Sequence, residues 1–101
     1  MRTGIFIVAL CVCLLPQDGR AAIDCARATS NVDKLICAST DLGLAQEQMA
    51  FSYRSAMRRG VDLQQLQRTQ IEWHEQVRNA CNDAACLLKA FDERGAELDN
   101  Y

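Results

Sequence analysis

The sequence predicts an all-α fold, a small three-helix bundle with a short N-terminal helix or loop, stapled by two disulfides. Three observations predict it. From residue 22 onward Ala, Gln, Glu, Leu and Arg dominate and proline is absent, a composition that favours helix. No stretch alternates β-branched and polar residues, as a half-buried strand would. Four cysteines, Cys25, Cys37, Cys81 and Cys86, form two close pairs with a cysteine-free stretch between, the staples expected of an exported chain too small to bury much apolar surface.

The first 21 residues read as a signal peptide. Arg2 gives a positive start, and Ile5 to Leu15 is unbroken apolar sequence. Pro16, Asp18 and Gly19 end the run. Gly19 and Ala21 place small residues where a signal peptidase reads them, so the cut is expected after Ala21. The apolar run is far shorter than the roughly 20 residues of a spanning helix. Cys11 and Cys13 would leave with the signal. The mature chain, residues 22–101, then carries nine basic and twelve acidic residues, a net −3. That length fits one domain. Its mild acidity argues against a nucleic-acid partner, and no membrane contact is expected after cleavage. A periplasmic or secreted location follows.

The mature chain opens with its least regular part. Thr29-Ser30-Asn31 reads as a turn, and Ser30 or Asn31 caps a short helix through Val32, Lys34, Leu35 and Ile36. A long helix is expected from about Thr40 to Arg59, capped by Ser39 or Thr40. Leu42, Ala45, Met49, Tyr53 and Ala56 recur along it at spacings of three and four, which makes one apolar stripe. Phe51 lies off that stripe and is a candidate contact residue. Gly60 suits the left-handed residue that ends a helix.

Asp62 caps the next helix, with Gln65 completing a capping-box pattern and Val61 and Leu66 a hydrophobic staple. Leu66, Trp73, Val77 and Ala80 are expected on its apolar face, with Gln70 between. A tight turn at Asn82-Asp83 separates it from the last helix. There Asp83 is the cap, Leu87, Leu88, Phe91 and Leu98 form the apolar side, and Gly95 permits close approach. The break is required for a local disulfide. In one continuous helix Cys81 and Cys86 would point about 140° apart. Four cysteines allow three connectivities. Cys25–Cys37 with Cys81–Cys86 is favoured because both loops are local.

No enzyme is legible. The lone histidine, His74, sits beside Trp73 on an amphipathic helix, and no GxSxG motif or glycine-rich phosphate cradle occurs. Glu72 with Glu75, and Asp92 with Glu93, are near-neighbour carboxylates at polar helix positions. Cys81 and Cys86 with His74 make a poor zinc set, so no metal and no cofactor are expected.

The run Ile23-Asp24-Cys25-Ala26-Arg27-Ala28 leads to Leu35-Ile36-Cys37 and Asp41-Leu42. Later come Gln70-x-x-Trp73, Arg78-Asn79-Ala80-Cys81, Cys86-Leu87, Phe91-x-x-Arg94 and Leu98. This pattern, over nearly the whole mature chain, resembles the LprI-type lysozyme-inhibitor domain family of exported bacterial proteins. Phe91, where tyrosine is expected, and the Leu44 region, which lacks an expected aspartate, depart from it. The resemblance implies a protein partner, a lysozyme, bound without catalysis. The alternative is an envelope interaction module that inhibits nothing. Arg58 and Arg59, ahead of Gly60, are the candidate partner-binding residues: a basic loop there would meet the two carboxylates of a lysozyme cleft.

Overall fold

Each α-helix, and the first 3-10 turn, begins at a residue whose side chain replaces a missing backbone partner. A computed structural model of the chain describes residues 23–101; the signal peptide expected over residues 1–21, with its cut after Ala21, lies outside them. Asp24 accepts from the Ala26 amide and opens a 3-10 turn, Cys25–Arg27. Ser30 Oγ accepts from the Asp33 amide at the head of α1, Asn31–Cys37. Ser39 does the same for α2, Thr40–Arg58, through the Leu42 amide. Asp62 accepts from the amides of Gln64 and Gln65 to start α3, Leu63–Trp73. Asp83 accepts from the Cys86 amide to start α4, Ala84–Asp99. The described residues contain no strand. The fold is the all-α bundle expected, with α1 as the short N-terminal helix.

The α2 stripe forms as its spacing demands. Leu42, Ala45, Met49 and Ala56 are buried with Ser52, and Tyr53 packs half-buried against them. Leu87, Ala90, Phe91 and Leu98 of α4 meet this stripe, so α2 and α4 form the main layer contact. Leu66 and Trp73 close the core from α3, Val32 and Ile36 from α1. The Trp73 and Phe91 rings lie 5.8 Å apart between centroids. Gly60 adopts φ +80°, a backbone state that glycine enters without the steric cost of a Cβ, and the chain reverses there into Val61 and the Asp62 cap.

Two expectations about the core fail for one reason. Val77 and Ala80 were expected on the apolar face of the second helix, yet both are exposed. After Trp73 the backbone makes a π-helical turn, His74–Arg78. A π turn accommodates one extra residue, so the helix face slips by one position. Arg78 and Cys81 turn inward in place of Val77 and Ala80, at 6% and 2% exposure. Leu88 is a third departure. It lies beside the buried Leu87 and is 40% exposed at the edge of α4.

Gly95 does lie where α4 meets α2. An added Cβ would come only to 3.9 Å from Met49 Cα and Ser52 Oγ, an ordinary contact, so the approach does not itself require glycine. Both local disulfides are formed: Cys25–Cys37 and Cys81–Cys86, with Cα separations of 5.8 and 5.5 Å.

Candidate binding surface

Among the described residues two arginines, Arg78 and Arg94, are buried, and both are used inside the fold. Arg94, 4% exposed, donates from Nε to Gln70 Oε1 at 2.8 Å, from Nη2 to Thr69 Oγ1 at 3.1 Å and from Nη1 to Glu97 Oε1 at 3.1 Å. Thr69 Oγ1 has one proton, which goes to the Leu66 carbonyl at 3.1 Å. The 2.7 Å contact between Thr69 Oγ1 and Tyr101 therefore has the phenol as donor. The Arg94 guanidinium also lies 5.8 Å from the Tyr101 ring centroid, within cation–π reach.

Arg78 makes the second buried cluster. Its Nη2 donates to Asp33 Oδ1 at 2.8 Å and its Nη1 to Asn79 Oδ1 at 2.7 Å. This ties the π turn to α1. His74 stands at the rim of the same recess. Desolvation lowers its pKa from 6.5, the adjacent Arg78 charge lowers it further, and Asp33 and Glu75 pull it back up. A depressed pKa and a lone imidazole make no nucleophile or base by themselves. Among the described residues no group of three or more His, Cys, Asp and Glu is placed to hold a metal ion. Glu72, Glu75, Asp92 and Glu93 are all exposed, and Glu93 pairs with Lys89 at 3.2 Å.

The structure separates the two sequence-predicted site residues. Arg59 Nη2 donates to the Leu98 carbonyl at 2.7 Å, which also accepts from the Tyr101 amide at 3.3 Å, so Arg59 ties the end of α2 to the end of α4. Arg58 is exposed and, among the described residues, its one hydrogen bond is to its neighbour Ser55, at 3.4 Å. Arg58 is therefore the freer cation of the pair.

Arg58 also belongs to a larger surface. Residues seven apart on an α-helix lie within about 20° of each other. Leu44, Phe51 and Arg58 are spaced by seven on α2 and form a line on the side opposite the buried stripe. Leu44 and Phe51 are each 58% exposed. Glu47 and Arg54 flank that line. Leu88 of α4 borders the same surface. Sequence reasoning singled out Phe51 and Arg58 separately and missed Leu44, Glu47 and Arg54. The seven-residue spacing was the signal that would have joined them. This face offers apolar contact and charge of both signs, with no arrangement for covalent chemistry.

Comparisons with protein-family models, curated proteins and solved structures return no match. Within the described residues no helix is long and apolar enough to cross a membrane.

Proposed function

We propose that the chain is an exported bacterial protein that binds and inhibits a lysozyme by protein–protein contact, with Arg58 as its leading cation. The observation that carries this reading is the exposed Arg58 at the end of α2, held at the rim of a scaffold whose other buried or capping arginines are already engaged. Two disulfides suit an oxidising, extracytoplasmic compartment. The processed chain's charge of −3 would attract a cationic lysozyme and raise its association rate at low salt. Once docked, the guanidinium would face the pair of carboxylates on which glycoside hydrolysis depends.

Muramidase activity measured against excess oxidised protein, at low and moderate salt, tests this directly. Inhibition is expected with at least one lysozyme type, weakening as salt rises. Arg58→Ala should raise the inhibition constant by about tenfold, a change of about 1.4 kcal/mol. Unchanged potency in that variant would clear Arg58, and no inhibition of several lysozymes would remove the reading altogether. Exposed Leu44 and Phe51 favour a second reading, an envelope interaction module without lysozyme inhibition.

A further inference from the structure

The outward face of α2 is self-complementary. Its N-terminal half carries Glu47, its C-terminal half carries Arg54 and Arg58, and Phe51 lies between them. Neither Glu47 nor Arg54 has an ion-pair partner among the described residues. Phe51 and Leu44 keep more than half of their surface open. A uniformly cationic partner would be repelled by half of this face, and a uniformly anionic one by the other half. The chain itself, turned end for end, presents the opposite order.

We propose that two copies of this chain associate through α2, antiparallel and two-fold symmetric about Phe51. In such a pair residue 51 meets its own copy, and positions equally far on either side oppose one another. Glu47 then faces the turn that holds Ser55 and Arg54 of the other copy, and the symmetry makes this ion pair twice. Leu44 is covered by the aliphatic stem of the other copy's Arg58. The two Phe51 rings meet on the axis.

Other registers are disfavoured by charge. Centring the pair near Gln48 would set Glu47 beside its own copy. A parallel pair would set Glu47 against Glu47 and Arg54 against Arg54, and like charges face to face oppose association. Because α2 has 19 residues, its two ends lie about 28 Å apart. The antiparallel pair therefore presents its two Gly60 turns at opposite ends. This inference does not rest on lysozyme binding; both engage Arg58, so a dimer would compete with a lysozyme for this face, and sedimentation without lysozyme tests the dimer alone.

Sedimentation velocity of the oxidised, exported protein across a concentration series tests it at low salt. The expected result is a concentration-dependent shift from monomer to dimer mass. Phe51→Asp, at an exposed position, should remain monomeric with an unchanged circular dichroism spectrum. Glu47→Arg and Arg54→Glu should each weaken association by about tenfold or more, as like charges meet twice. Two combinations restore opposite pairs and should recover the dimer: the double variant Glu47→Arg/Arg54→Glu, and an equimolar mixture of the two single variants. A wild-type chain that stays monomeric to millimolar concentration would overturn the proposal. So would a dimer indifferent to Phe51→Asp, or charge variants whose combinations fail to recover it.

Discussion

At the scale of single residues, several residues of the motifs on which the expected LprI-type likeness rests hold the fold, while others, such as Ala26, Arg27 and Ala80, are exposed. Gln70 and Arg94 bond each other, Trp73 and Phe91 pack ring to ring, and the buried Arg78 donates to the exposed Asn79. These motif residues belong to the scaffold, while Leu44, Phe51 and Arg58 lie on another face. Asp33→Ala isolates the cost of one such bond. It leaves a guanidinium whose side chain is 7% exposed with Asn79 as its remaining partner. Breaking a fully buried pair costs about 3–5 kcal/mol. Asp33 is about one-third exposed, so a loss of about 2 kcal/mol is expected in urea unfolding. His74 gives the pH dependence. Its folded pKa lies below the unfolded value of 6.5, so the unfolded chain binds more protons and stability rises with pH in that window. Stability should be unaffected by His74 well above 6.5 and should fall as pH drops through it. Thermal melts at pH 7 and pH 5 should show a larger drop for the wild type than for His74→Gln. An equal drop in both would show that other groups set the acid slope.

At the scale of elements, caps and stripes were legible because each has a local cause. Asp62 and Asp83 cap as the sequence indicates, and of the two residues it offers at each earlier start, Ser30 rather than Asn31 and Ser39 rather than Thr40 cap, since a cap needs only its own turn. The π turn was not legible. It brings Arg78 to Asp33 on α1 and Cys81 into the core, tertiary contacts that no 3.6-residue period signals. Glycines separate the same way. At Gly60 the backbone has φ +80°, so Gly60→Ala should cost about 1–2 kcal/mol by forcing a Cβ into left-handed backbone. At Gly95 a Cβ meets nothing closer than 3.9 Å. Gly95→Ala should be neutral or stabilising by up to about 1 kcal/mol, through helix propensity. Chemical denaturation of both variants checks the pair, and the opposite signs are the distinguishing result.

At the scale of the whole molecule, the disulfides have unequal roles although both close local loops. The sequence separations are 12 for Cys25–Cys37 and 5 for Cys81–Cys86. Loop-closure entropy alone ranks the first higher, at about 3 kcal/mol against about 2 kcal/mol. Position reverses the order. Cys25 is exposed and ties a 3-10 turn whose residues contribute nothing buried to the core. The helix it joins is independently anchored by Val32 and Ile36. Cys81 is itself core, at 2% exposure, and its bridge fixes the turn that sets α4 against the π turn. Replacing both cysteines of that bridge by alanine removes the loop constraint together with buried sulfur packing, a further loss of about 1 kcal/mol. Cys81→Ala/Cys86→Ala should therefore destabilise at least as much as Cys25→Ala/Cys37→Ala, against the loop-length ranking. Urea midpoints of the two double variants decide it. A clearly lower midpoint for Cys25→Ala/Cys37→Ala would mean that the N-terminal staple, and not the α4 hinge, governs global stability.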